Sequence, residues 1–217
     1  MKKYEHIPLI TREEVCEGLG ICADQILKVL PNFTDKFQAA NSENLFYQPI
    51  ENRGWTNGFW TGEIWLAYEF TGDERFKEAA LVQCDSFYER ITKGISIASH
   101  DMGFLYSLSC VAAYKLTGNE KAKEAALLAA DNLITMFREK GNFIQSINQP
   151  DNKLEYRMIV DTLLNLPILY WASEVTGDAK YRDIAVMHFR TTVDVLLRED
   201  GSVSQAARFD NETGAHL

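Results

Sequence analysis

Apolar residues recur at a helical period along most of the chain. The pattern predicts helices over 12–30, 57–71, 74–92, 102–116, 120–139, 156–175 and 179–198, with weak strand signal throughout. The predicted helices are of two kinds. GFWTGEIWLAYEF, MGFLYSLSCVAAYKL and MIVDTLLNLPILYWASEV are apolar nearly all round, as a buried inner layer requires. DERFKEAALVQC, NEKAKEAALLAA and DAKYRDIAVMHF carry one charged face, as an outer layer requires. The two kinds alternate, joined by a recurring turn: LAYEFTGDERFKEAA (66–80), AAYKLTGNEKAKEAA (112–126) and WASEVTGDAKYRDIA (171–185). In each, Gly72, Gly118 or Gly177 suits the left-handed residue that ends a helix, and Asp73, Asn119 or Asp178 suits the cap of the next. Recurrence at spacings of 46 and 59 residues predicts a helical repeat array. Inner and outer helices in alternation make it an all-α protein with an α/α toroid fold. Seven helices are expected. No linker or shift in composition marks a second domain, so 1–217 reads as one toroid domain.

The chain has 217 residues, 46% of them apolar, which is enough for one substantial core. Its net charge of -9 and the lack of any Lys/Arg run argue against a nucleic-acid partner. No apolar run approaches the roughly 18 residues needed to cross a bilayer. The N-terminal MKKYEHIPLI has no apolar stretch of the signal-peptide kind. The cysteines (Cys16, Cys22, Cys84, Cys110) form no CxxC pair and read as free thiols, hence a cytoplasmic protein. The histidines (His6, His100, His188, His216) show no ligand spacing, so no metal is expected. Without a GxSxG, P-loop or GxGxxG motif, acyl transfer and nucleotide or dinucleotide cofactors have no support.

The loops leading into the inner helices are long and polar, which points to function. Trp55 and Asp101 stand sixteen residues before Thr71 and Thr117, and Asp161 fifteen before Thr176. Equivalent positions in a toroid share one end of the ring, so these three are expected to face one cleft. Two carboxylates beside an aromatic platform suit acid/base work on a sugar. Asp161 lies in the apolar run RMIVDTLLNLPILYW, where desolvation would raise its pKa. The alternative is an ion pair with Arg157, four residues earlier, which would lower it. Asp101 could equally be a helix cap. His100 could donate to a sugar hydroxyl or be merely solvated. Trp55, beside Asn57, suits an exposed rim, whereas Phe59 and Trp60 read as core. Tyr106 and Gln145 are candidates for the cleft wall, and His188 reads as structural.

WTNGFWTGEIWLAYE (55–69), HDMGFLYSLS (100–109), FIQS (143–146) and RMIVDTLLNLPILYWASEVTGD (157–178), with RFDNETG (208–214) as a tail, together resemble the unsaturated glucuronyl hydrolases of glycoside hydrolase family 88. The resemblance implies an (α/α)6 barrel. It implies a glycosidase that removes 4,5-unsaturated uronic acid from the non-reducing end of oligosaccharides made by polysaccharide lyases. The implied reaction is hydration of the vinyl ether double bond, and the resulting hemiketal opens. By the same resemblance Asp161 is the acid/base, Asp101 assists or holds hydroxyls, and His100, Trp55, Asn57, Arg157 and Gln145 bind substrate. No cofactor is implied. The chain departs from the family pattern at Ile147, where a Trp is usual, and at Gln205, where a His is common; both bear on substrate preference. Unsaturated rhamnogalacturonyl hydrolases share the barrel and the chemistry, and a partial toroid that binds sugar or protein without turnover is a third reading. Six such repeats need roughly 300–350 residues by the additive logic of repeat arrays. The chain is therefore expected to hold about half a ring, incomplete at its C-terminus, with self-association through the open edge.

Overall fold

A computed structural model describes residues 9–217; the N-terminal stretch read for a targeting signal, and His6 within it, lie outside the described residues. The helices are α1 (Arg12–Val29), α2 (Asn57–Thr71), α3 (Glu74–Thr92), α4 (Met102–Tyr106), α5 (Ala112–Thr117), α6 (Glu120–Ile134), α7 (Pro167–Thr176) and α8 (Ala179–Leu196). A π turn (Ser107–Val111) joins α4 and α5 into one rod, so seven rods stand among the described residues.

The repeated turns form as their residues dictate. Gly72, Gly118 and Gly177 close α2, α5 and α7 at φ of 70°, 73° and 74°. Asp73, Asn119 and Asp178 then accept from the backbone N–H of Arg75, Ala122 and Lys180 and open the next helices. The preceding threonines complete the corner. Thr71, Thr117 and Thr176 donate to Ala67, Ala113 and Ala172 carbonyls at 2.7, 2.7 and 2.6 Å.

The outer helices bury one stripe each: Phe76, Ala79, Ala80, Gln83, Cys84 and Phe87 on α3, and a run of alanines ending in Leu133 on α6. Small alanine side chains let α6 lie close against its neighbours. The inner layer is α2, the α4–α5 rod and α7. Two glycines set how near its members approach at their N-terminal ends. A Cβ on Gly58 would sit 2.3 Å from the Phe104 carbonyl oxygen, and one on Gly103 would sit 2.2 Å from Asn165 Cα. Only hydrogen fits at these two contacts, which draw the starts of successive inner helices together.

The hydrophobic pattern misplaced some boundaries. The expected helix over 156–175 is instead a strand, β5 (Arg157–Ile159), a 3-10 turn (Val160–Asn165) and α7, which begins at Pro167. Proline lacks an N–H and suits the first turn of a helix, not its interior. The helix expected to reach 139 stops at Ile134, followed by β3 (Phe137–Arg138) and β4 (Phe143–Ile144). The loop before α2 holds an antiparallel hairpin, β1 (Phe37–Glu43) and β2 (Phe46–Ile50). Near the end of the chain, β6 (Ala206–Arg208) pairs with β5.

The expected all-round burial of the inner helices also holds only in part. Phe59, Leu66 and Phe70 of α2 are 40%, 66% and 41% exposed along one face. That face borders a groove of about 530 Å³ against Leu108, Ala112 and Leu116, and another of about 570 Å³ against Leu19, Ile21 and Ile26 of α1.

Candidate active site

Three loops are stitched together by backbone hydrogen bonds at the N-terminal ends of the inner helices. The His100 N–H donates to the Ser146 carbonyl at 3.0 Å, Asn148 N–H to Ala98 at 2.8 Å, and Ser146 N–H to Arg157 at 3.0 Å. The register extends through β5–β6, and Val160 N–H donates to the Gln205 carbonyl at 2.8 Å. The α4 end is tied to the turn as well: Phe104 N–H donates to Asn165 Oδ1 at 2.9 Å. This lattice places His100, Asp101 and Asp161 side by side.

His100 is buried, and its Nε2 lies 3.3 Å from Asp161 Oδ2 and 3.5 Å from Asp101 Oδ1. Polar atoms of all three side chains lie within 4.8 Å of one another. Nε2 stands between the two carboxylates, with one hydrogen to offer either, so the three side chains form a close polar triad. Ser99 Oγ donates to the other oxygen of Asp101. Asp161 Oδ1 and His100 Nδ1 are enclosed without a protein partner, so both hold unused hydrogen-bonding capacity inside the site.

Burial pushes the Asp161 carboxyl up, but the His100 hydrogen bond and charge outweigh it and hold the group below the usual carboxylate value. The expected upward shift is thus overturned. The partner doing the lowering is His100, not Arg157, whose guanidinium pairs with Glu155 at 3.1 Å. Asp161 is therefore ionised near neutral pH and able to accept a proton.

Trp55 stands at the rim, 53% exposed, with ring centroids 6.3 Å from both Phe59 and Phe104. Phe59, expected in the core, is a half-exposed member of this aromatic group; Trp60 is core and donates from Nε1 to the Phe33 carbonyl at 3.1 Å. Trp55 and the two aspartates share one end of the helical layer, as the repeat register predicted.

Other expected site residues point elsewhere. Asn57 is buried and donates to the Glu51 carbonyl and Asn52 Oδ1 at 3.2 and 3.3 Å. Gln145 is fully buried, accepting from Arg138 Nε at 2.6 Å and donating to the Gln149 and Glu155 carbonyls at 2.9 Å each. Tyr106 is fully buried, donating to the Phe87 carbonyl at 3.1 Å, and burial raises its pKa. All three are closed off from solvent and brace the loops. Arg157 is half-buried in β5 and committed to Glu155.

Sequence reasoning passed over Ser99 and Arg90. The buried Arg90 guanidinium donates to the carbonyls of Gly54 and Ser96 at 2.9 and 3.0 Å and to Asn52 Oδ1 at 2.9 Å. It thereby joins the loop carrying Trp55 to the one leading to His100. An arginine in the last turn of an outer helix looks like ordinary dipole chemistry in sequence. Ser99 gave a fainter signal, a hydroxyl two residues before Asp101.

Alternating inner and outer helices, with a carboxylate pair set about one histidine at the end of the layer that also carries the aromatic group, define a protein of the helical-toroid class with a polar site at that end. The Glycosyl Hydrolase Family 88 profile matches residues 26–216, and the chain belongs to that family. It is 41% identical over 213 residues to an unsaturated chondroitin disaccharide hydrolase of Streptococcus pneumoniae (strain ATCC BAA-255 / R6), covering 98% of this chain and 54% of that relative. A crystal structure of unsaturated glucuronyl hydrolase from Streptococcus agalactiae superposes with a TM-score of 0.92 at 39% identity, over 100% of this chain and 54% of that one. A variant of the latter complexed with dGlcA-GalNAc6S superposes at 0.83 and 36% identity, over 100% of this chain and 52% of that one. The chain spans about half the length of the curated relatives it matches.

Proposed function

We propose that this chain forms the acid/base half of an unsaturated uronyl hydrolase, acting on lyase-generated oligosaccharides that end in a 4,5-unsaturated uronic acid. The observation that carries the reading is the Asp101–His100–Asp161 triad at the inner-helix end that also carries Trp55. In the reaction, ionised Asp161 takes a proton from water as the water oxygen bonds to C5, and the proton passes to C4. The double bond is consumed. The C5 hemiketal opens by breaking C5–O5 to a ketone, its proton passing to O5, and the C1 hemiacetal so formed collapses to an aldehyde and releases the remaining sugar as an alcohol. His100 and Asp101 hold Asp161 and sugar hydroxyls, and Trp55 offers an apolar face at the rim. The names of the relatives support a glycosaminoglycan-derived disaccharide over a rhamnogalacturonan one. Unpaired thiols at Cys16, Cys22, Cys84 and Cys110 support a cytoplasmic setting.

The test is the loss of ultraviolet absorbance of the conjugated uronate on mixing with unsaturated chondroitin disaccharide. Asp161→Asn preserves shape but not proton transfer, so kcat is expected to fall by at least about 100-fold with the fold intact. Retention of more than about a tenth of the rate removes Asp161 from the role. A second reading, a partial toroid that binds sugar or a partner protein without turnover, has its protein-binding form favoured by the bare strip of Phe59, Leu66 and Phe70. It includes self-association through that edge. Sedimentation beside the same assay decides it, because a fully active monomer is incompatible with it.

A further inference from the structure

His188 is fully buried on α8, and both of its ring nitrogens are engaged. Nδ1 accepts the backbone N–H of Ile144 at 2.9 Å. A backbone N–H can only donate, so Nδ1 carries no proton and the neutral ring carries its hydrogen on Nε2. Nε2 in turn lies 2.7 Å from Thr162 Oγ1, and with the tautomer fixed it donates to that hydroxyl. Burial agrees with the neutral ring, pushing its pKa down to about 3.

The two partners are the approaches to the triad. Two residues beyond Ile144, the Ser146 carbonyl receives the His100 N–H at 3.0 Å. One residue before Thr162 is Asp161, whose carboxylate meets His100 Nε2 at 3.3 Å. One imidazole on an outer helix therefore grips both the strand that seats His100 and the turn that carries Asp161. The turn's other anchors, at Val160 and Asn165, lie at its two ends; Thr162 is its buried side-chain anchor beside the acid.

We infer that His188 is a positioning residue that sets the separation of His100 and Asp161 by bonding Ile144 and Thr162 at once. It touches no substrate and transfers no proton. The inference deepens the proposed reaction and rests on that reading for its kinetic arm only.

Thr162→Val removes the hydroxyl at nearly constant volume, and Thr162→Ser keeps it. His188→Asn retains an acceptor near the Nδ1 position but loses the reach to Thr162. Thr162→Val and His188→Asn are expected to lower kcat at least tenfold with KM within about twofold, since misplacement of an acting group by about 1 Å has effects on that scale. Thr162→Ser should stay within about twofold of the parent. Crystal structures supply the arm that needs no activity: in Thr162→Val the Asp161–His100 contact should open beyond hydrogen-bond distance, and in Thr162→Ser it should persist. If the parent chain shows no turnover, the proposed function fails while the structures still decide the inference. Variants that melt earlier yet keep the contact, or keep kcat where turnover is measurable, overturn it and leave His188 a packing residue.

Discussion

Replacing Gly103 by alanine tests how the site is assembled. The new methyl carbon would lie 2.2 Å from Asn165 Cα and 2.4 Å from the Asn165 carbonyl oxygen, against an ordinary contact near 3.4 Å or more. Neither partner is a flexible side chain, so α4 and the 160–165 turn must part by roughly 1 Å, a strain that typically costs about 1–3 kcal/mol. The parting also stretches the 2.9 Å bond from Phe104 N–H to Asn165 Oδ1. A buried backbone donor without its partner costs about 1–3 kcal/mol more. The sum, about 2–6 kcal/mol, is a large share of the 5–15 kcal/mol that holds a typical domain together. Gly118→Ala is the control. It sits at φ 73° with nothing within 4 Å of its added carbon, so its cost is backbone conformation alone, about 1 kcal/mol. Urea unfolding followed by tryptophan fluorescence measures both. A Gly103→Ala midpoint no lower than that of Gly118→Ala would show that close glycine contact does not hold the inner-helix starts together.

Three further outcomes follow from the same geometry. His188 has a folded pKa of about 3 against 6.5 for the free group, so the unfolded chain binds its proton more tightly; its contribution is fully present above pH 6.5 and is lost as pH falls towards 3. Between pH 7.5 and 5 that amounts to about 2 kcal/mol, visible as a drop in the urea midpoint that His188→Gln should lack; equal drops in both would refute it. Gln145→Ala, which takes the acceptor from Arg138 Nε and one of two donors from each of the Gln149 and Glu155 carbonyls, should lower stability by about 1–3 kcal/mol and leave KM for a variant that still folds within about twofold. Trp55→Ala should do the opposite, raising KM about tenfold with little change in melting temperature, on the scale of one aromatic contact; an unchanged KM for unsaturated chondroitin disaccharide would remove Trp55 from the binding rim.

What the sequence revealed, and what it hid, follows from the range of the interactions involved. The TG(D/N) corners were legible because a left-handed glycine and an N-cap are settled within a few residues; Gly72, Asp73 and their equivalents needed no tertiary knowledge. The convergence of Trp55, Asp101 and Asp161 was legible for another reason. A repeat converts sequence spacing into position in space, so register alone carried residues 106 positions apart to one end of the layer. Register says nothing about what lies between them, however. The neighbour of Asp161 in sequence at helical spacing is Arg157, and had the segment been helical that pair was a fair expectation. Pro167 and the pairing of β5 with β6 convert the segment to strand and turn, which sends Arg157 to Glu155 and leaves Asp161 to His100. With that one change of secondary structure the group that lowers the Asp161 pKa becomes His100 instead of Arg157. Asn57 and Gln145 follow the same logic. Polar residues beside a cleft motif look like ligand contacts until the loops have been folded, when their amides turn out to satisfy backbone groups that the loops themselves bury. A site built from long loops needs such internal braces in proportion to the backbone it buries. The polar residues around a motif are thus divided between substrate and scaffold by hydrogen-bond accounting that only the fold can supply.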